Sequence, residues 1–200
     1  IQGSFEVIAD SNFEAELPGL LADSKDRLEE AAFATGDGTN KPFGVVPGAT
    51  TVASGAAATY AVGDVYAVQA ALPSRWRGPN SKLAWLGKLA GINKPRQFDT
   101  SGGSSFWANL GMGQPEQLLG APIYESTTMS ATPATTAAKT LLLGDFSQYI
   151  IVDRIGMSVM YEPLVKGAAG RPTGEAGWFA YWRVGAKVST SAAFRVLTIG

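Results

Sequence analysis

A chain of 200 residues is long enough to bury a sizeable core, as one domain or two small ones. It holds no cysteine and no histidine, which excludes disulfides, thiolate chemistry, the commonest general base and the usual zinc and iron ligands. Only 16% of residues are charged, the net charge is −1 and 46% are hydrophobic. Nothing therefore steers the chain towards nucleic acid, and association with other copies is one way to keep its apolar surface from water. No apolar run approaches the ~20 residues of a membrane helix. The first residue is Ile1 and no signal peptide is seen, so a fragment or a processed product is expected.

In chain order, Ser4–Ala9 alternates and reads as a short strand. Asp10–Thr35 reads as a helix. Phe13, Leu17, Leu20, Leu21, Leu28, Ala31 and Ala32 form its apolar stripe, and Lys25, Asp26, Glu29 and Glu30 lie on the opposite face. Asp10, Ser11 or Asn12 caps its start, with Glu14 and Glu16 favouring the dipole. Pro18 lies far enough inside to predict a kink or a break. The helix ends at "GDGTNKPFG", Gly36–Gly44. This stretch has the look of a phosphate-binding loop, but it follows a helix C-terminus, which offers carbonyls where phosphate needs N–H donors. Lys41 is also followed by Pro42 and not by Ser or Thr. A helix stop and tight turn is the better reading, with positive φ expected at Gly36 or Gly38.

Beyond it, Val45–Tyr60 suggests short strands and turns, and Asp64 can cap a helix over Val65–Leu72. Leu83–Leu86 reads as a buried strand before a short helix, and Gly102–Gly113 as a tip loop. Gln117–Thr127 reads as a strand that Pro122 assigns to an edge or bulge. Ser130–Ala138 is low-complexity loop. "KTLLLGDF" and "YIIVDR" read as a buried strand and a second element, "GMSVMYE" as a strand, Pro163–Gly177 as a Gly/Pro-rich loop, and "WFAYWRVGAKVS" and "AFRVLTIG" as closing strands. One long helix among many strands argues for an α+β fold.

Carboxylates are the catalytic groups this composition permits. Asp145, Asp153, Glu125 and Glu162 lie at strand ends, where ordinary caps and surface acids are the simpler reading. Trp178, Phe179, Tyr181 and Trp182 invite comparison with a sugar or base platform. Aromatics on both faces of one strand fit better between two layers or at a subunit contact. In Ser74–Gly78, an Arg stacked on Trp76 and a basic helix end are equally good readings.

Five stretches taken together resemble the HK97-fold major capsid proteins of tailed phages. They are "EEAAFATGDGTNKPFGVV", "KLAWLGKL" (without the family's usual Asn after the strand), "LLGAPIYES", "LLLGDFSQYIIVDRIGMSV" and "FAYWRVGAKVSTSAAFRVL", in the family's order across essentially the whole chain. The resemblance implies an α+β, HK97-like fold with a long spine helix, a discontinuous P-domain over 1–44 and 156–193, and a central A-domain over 45–155, with 194–200 as a closing strand. It implies a structural subunit of an icosahedral tailed-phage or prophage shell enclosing the DNA genome. Such a subunit is not an enzyme and has no cofactor, no metal, no specific nucleic-acid site and no membrane contact. Its partners are other copies in pentamers and hexamers, and it resides in the virion after assembly in the bacterial host cytoplasm. An encapsulin-like compartment shell, or a carboxylate-dependent α+β hydrolase, are the other readings. The family's loop at Pro163–Gly177 meets its symmetry mates around local three-fold axes, which makes Lys166, Arg171 and Glu175 the subunit-contact candidates. The family's N-terminal arm and extended loop are expected before Ile1. The chain alone is accordingly expected to be a folded monomer, or at most a ring of five or six. Some members cross-link through a Lys–Asn isopeptide bond; the Asn would fall near Gly174, where "RPTGEAGW" holds none, so that chemistry is not implied.

Overall fold

A computed structural model describes residues 1–97, 107–108, 116–130 and 137–200. The loops expected at Gly102–Gly113 and over most of Ser130–Ala138 lie outside the described residues. The chain forms two compact units. One holds Ile1–Glu29 and Val152–Gly185, the other Glu30–Ile151 and Ala186–Gly200.

The larger unit is built on a seven-stranded sheet, whose strands are β2 (Thr50–Ala53), β3 (Leu83–Gly87), β4 (Trp107–Ala108), β5 (Gln117–Leu118), β6 (Ala121–Glu125), β7 (Lys139–Asp145) and β10 (Phe194–Thr198). Their spatial order is β2-β10-β7-β3-β6-β5-β4. β7 is antiparallel to both its neighbours, while β10–β2 and β3–β6 are parallel pairs. Because side chains alternate across a sheet, the Leu triplet of β7 divides between two cores. Leu141 and Leu143 pack with Tyr60, Val65, Leu72, Trp85 and Leu197. Leu142 packs with Val45, Val46, Val188, Phe194 and Val196 on the other face. Each such burial contributes roughly 1.5–3 kcal/mol relative to exposure. The Trp85 indole donates to the Leu118 carbonyl at 2.9 Å, so this core aromatic leaves no polar atom orphaned.

After the short helix α3 (Val45–Gly48), helix α4 (Val62–Ala71) turns Val65 and Val68 into the first core. It starts three residues earlier than expected. Asp64 sits inside the first turn and reaches back to the Ala61 N–H (2.8 Å), while its other oxygen accepts from Gly55 (3.0 Å). Past the helix, Arg195 donates to the Ala71 carbonyl (3.0 Å) and to those of Ser191, Ala192 and Phe194. Ser74–Arg77 is a 3-10 turn with the Arg75 guanidinium 4.9 Å from the Trp76 ring centre. The β3 strand and helix α5 (Leu89–Gln97) fall where the sequence places them. The expected Gln117–Thr127 strand is instead a hairpin. Leu119 (φ 50°) and Gly120 (φ 78°) make a turn with both central residues left-handed, which suits the twist of paired strands. Pro122 stands opposite Gln117 in β6, an interior strand and not an edge.

The "GDF" that ends β7 is fixed by packing. A Cβ on Gly144 would lie 2.2 Å from the Phe194 ring and 2.8 Å from the Ala193 carbonyl, so only glycine fits. Phe146 meets Phe194 edge-on at 5.6 Å. Buried Asp145 accepts from Lys82 N–H and Ser147 N–H, both at 3.0 Å. One carboxylate thus ties the entry of β3 to the exit of β7.

The smaller unit is thinner. Three strands, β1 (Gln2–Ser4), β8 (Tyr149–Glu162) and β9 (Glu175–Val188), lie in the order β1-β9-β8, with the latter two contributing residues to both units. The expected strand over Ser4–Ala9 is corrected: Phe5–Asp10 is a helix, α1, capped by Ser4, whose hydroxyl accepts from Val7 N–H (3.3 Å). The apolar alternation misleads here because capping by Ser decides the local conformation. Helix α2 then runs unbroken over Phe13–Thr35. The chain breaks at Ser11–Asn12, before Pro18, and the Asn12 carbonyl accepts from Ala15 and Glu16. Pro18, sixth in the helix, removes a single donor, the one that would serve the Glu14 carbonyl.

The stripe of α2 also differs from expectation. Leu17 and Leu21 are buried, but Leu20 and Leu28 are 48% and 61% exposed. The inward line continues at four-residue steps through half-buried Lys25 and Glu29, which pair at 2.8 Å. Their apolar stems cover surface that leucines were expected to cover.

We expect Asp145→Ala to lower unfolding stability by about 1–3 kcal/mol, the cost of two amides losing a charged acceptor. Asp145→Asn, which keeps one oxygen, should lose less. Urea denaturation of the three proteins checks the order.

Candidate functional site

Two surfaces stand out. The first is the turn at Gly36–Gly44, in the larger unit. Gly38 has φ 82°, as expected of one of the two candidate glycines. Gly36 serves differently. Its N–H continues the helix to the Ala32 carbonyl (2.9 Å), and a Cβ there would lie 2.2 Å from the Pro42 carbonyl. Gly44 N–H returns to the Gly36 carbonyl (2.8 Å), and a Cβ on Gly44 would lie 2.6 Å from the Ala34 carbonyl. The turn is a loop folded back on the helix end with no room for side chains at its crossing points.

Its polar groups are spent inward. Asp37 accepts from Thr39 N–H (2.9 Å) and pairs with Lys41 (3.5 Å); the Thr39 hydrogen bond chiefly, with Lys41 assisting, holds its carboxyl below the usual range. The Lys that would have to reach a phosphate therefore pairs with the loop's own acid. The Tyr149 hydroxyl lies 3.2 Å from the Phe33 carbonyl and 3.1 Å from the Phe43 carbonyl, bracketing the turn. Burial pushes the Tyr149 phenol up to about 12.

The second surface belongs to the smaller unit. Along β9, Trp178, Ala180 and Trp182 are half-buried, while Phe179 (66% exposed), Tyr181 and Arg183 face outward. The expectation that aromatics on both faces would be covered holds within this unit for one face only. Phe179 and Tyr181 stack on each other at 6.2 Å, and Trp178 meets Phe13 and the exposed Tyr161 ring. β8 exposes Val152, Ile155, Val159, Met160 and Tyr161 as well. The buried hydrophobic residues of this unit, among those described, are Leu17, Leu21 and Ala176. For β9 the sequence offered a subunit contact beside burial between two layers; the exposure of β8 it missed, since an apolar strand reads as buried whether its cover comes from the same chain or from another.

The loop between β8 and β9 is ordered by its own backbone. Val165 N–H donates to the Glu175 carbonyl and Thr173 N–H to the Val165 carbonyl, both at 3.0 Å, and Gly167 N–H meets the Arg171 carbonyl at 2.9 Å. The Thr173 hydroxyl bonds both the Val165 carbonyl (3.0 Å) and the Glu175 carboxylate (3.1 Å). Lys166 and Arg171 stand exposed with no ion-pair partner among the described residues; half-buried Glu175 is held by Thr173. All three candidates thus belong to one loop and its root.

The carboxylates converge on nothing. Asp145 is consumed in the fold, Glu125 is exposed at the end of β6, and Asp153 and Glu162 are exposed nine residues apart on β8. Among the described residues no group of three acids could hold a metal ion, and no helix is long and apolar enough to cross a membrane.

An α+β subunit with an open apolar sheet and a preordered loop is a building block. The chain belongs to the Phage capsid family, which matches residues 2–199. Among solved structures it is similar to the "Capsid of empty GTA particle computed with C5 symmetry": 26% identity and TM-score 0.82, covering 100% of this chain and 71% of that one. It is similar in fold to Microbacterium phage Oxtober96 (18%, 0.67, 99% and 70%). The same fold occurs in the holo-SrpI encapsulin complex from Synechococcus elongatus PCC 7942 (15%, 0.62, 99% and 71%). A comparison with curated proteins finds no match. The HK97-like fold implied by the five motifs is therefore the fold of this chain, and its work is that of a structural shell subunit, a component of the virion that associates with its own kind.

Tyr149→Phe should cost ~0.5–1.5 kcal/mol, the net worth of a hydrogen bond. The raised phenol pKa means that the native state holds its proton more tightly than the unfolded chain does. The hydroxyl's contribution is therefore complete below about pH 10 and is lost as pH rises through about 12. Denaturation midpoints from pH 8 to 12 should converge for the two proteins at the alkaline end.

Proposed function

We propose that this chain is the repeating wall unit of an icosahedral tailed-phage or prophage shell that encloses the DNA genome. The observation that carries it is the family match over residues 2–199. An apolar sheet too thinly covered by its own chain supports the same reading. Exposed Phe179, Tyr181, Val159 and Met160 would be a liability on a free monomer and are an asset where copies tile. The shell assembles in the bacterial host cytoplasm from pentamers and hexamers. The subunit performs no catalysis, binds no cofactor and makes no specific contact with nucleic acid or membrane. A net charge of −1 supports the reading for nucleic acid, since a wall that does not grip DNA leaves it free to move. A bacterial compartment shell is the second reading, favoured by the encapsulin likeness in fold.

The P-domain is assigned to 1–44 and 156–193, and the A-domain to 45–155 with the closing strand 194–200. A chain that leaves one compact unit and re-enters it at Val152 supports a discontinuous first domain. Lys166, Arg171 and Glu175 contact neighbouring copies. Their support is a loop closed by backbone bonds of its own and by Phe5 N–H to the Gly174 carbonyl (3.2 Å), with Lys166 and Arg171 exposed and without an ion-pair partner among the described residues.

Negative-stain images of the full-length protein test the function: cages of uniform diameter are expected, and dispersed monomers at all concentrations would overturn it. Lys166→Glu should raise the concentration needed for assembly, read by light scattering, and leave the thermal midpoint unchanged. Each such exposed pair is worth only ~0–1 kcal/mol and matters because a shell repeats it.

A further inference from the structure

The smaller unit carries a hollow of about 450 Å³ between α2 and the sheet. Leu17, Pro18 and Leu21 form its helix wall, Met157 and Tyr161 stand on the strand side, and Glu14 lies at its rim. Two features make this more than a packing fault. Pro18 has no N–H, so the Glu14 carbonyl lacks its helical donor beside an apolar cavity. The Glu14 carboxylate is exposed and has no partner among the described residues. The hollow thus offers apolar walls and a negative, acceptor-rich lip.

The same chain presents the complementary shape elsewhere. Leu164, at the bend that follows β8, is 47% exposed, and it and Lys166 line one surface depression together with Glu162. Arg171 lies across the same small loop, tied to Lys166 by the Lys166–Pro172 bridge. An exposed apolar side chain beside Lys166, with a second unpaired cation, Arg171, on the same loop, fits an apolar hollow with an anionic lip, and no ion pair joins Glu14 to this loop within one chain.

We propose that the hollow at Glu14 receives the Leu164–Lys166 segment of a second copy of this chain. This rests on the shell-subunit reading and names the seat its loop takes. Leu164 enters between Leu21 and Tyr161, and the Lys166 ammonium, with Arg171 on the same loop, meets the Glu14 carboxylate. Seat and plug are different surfaces, so the contact is head-to-tail, and copies joined this way close into a ring where the rotation allows.

A charge swap in the full-length protein tests it. Glu14→Lys alone, and Lys166→Glu with Arg171→Glu, should each raise the concentration needed for particle formation about tenfold, a change of ~1.4 kcal/mol per contact. All three changes together should restore it to within about twofold of the unchanged protein. Glu14 also favours the dipole of α2, a role the loop changes cannot restore, so recovery reports the contact itself. If Glu14→Lys fails to fold, Glu14→Gln and Lys166→Gln provide a double-mutant cycle. A combined effect smaller than the sum supports the contact; strict additivity overturns it. A combined charge swap no better than its worse parent also overturns the seat and leaves the shell reading intact. Unchanged protein that never forms particles would overturn that reading, and the seat with it.

Discussion

Everything in the larger unit depends on β7 being covered on both faces. Its Leu141, Leu142 and Leu143 alternate between two cores, so neither can form without fixing the other. β10 on one side and β3 on the other are held in register by this strand, and the chain ends that flank it are locked by small groups. Gly144 lets Phe194 close against the backbone, and Asp145 ties Lys82 to Ser147. The "LLLGDF" stretch is thus a core, a close approach and a cap in six successive residues.

The smaller unit obeys a different economy. Its buried apolar residues are few, while its strands display Phe179, Tyr181, Val159 and Met160 to solvent. Association must offset ~4–15 kcal/mol of lost translational and rotational freedom, so broad apolar surface is what an assembling subunit needs. A unit that kept all its hydrophobic residues for itself would have little left to bind a neighbour. Low overall charge acts in the same direction, since it leaves little repulsion between copies.

The turn at Gly36–Gly44 shows why a glycine count alone is poor evidence for a ligand. Gly36 and Gly44 are needed where backbone crosses backbone, and Gly38 where φ is positive. Asp37 and Lys41 neutralise each other, and Tyr149 brackets the loop from the sheet side. The conformation folds the chain back on the end of a long helix and into the short helix Val45–Gly48 that follows, a mechanical task.

The sequence by itself determined the long helix, its glycine stop, the buried "TLLLG" strand and the order of the five motifs. These rest on local periodicity and on residues whose steric demands hold in any context. Only the tertiary structure decided that Gln117–Glu125 is a hairpin and that Lys25 and Glu29 replace Leu20 and Leu28 on the covered line of α2. Each turns on what lies opposite a residue, which periodicity does not encode. The hollow beside Pro18 belongs to the same class. Its walls come from segments some 140 residues apart, and Glu14 reads in sequence as an ordinary helix-dipole acid. The exposed face of β8 was illegible, and that of β9 open to two readings, for a further reason: an apolar strand has the same pattern whether the surface that buries it belongs to its own chain or to a neighbour's.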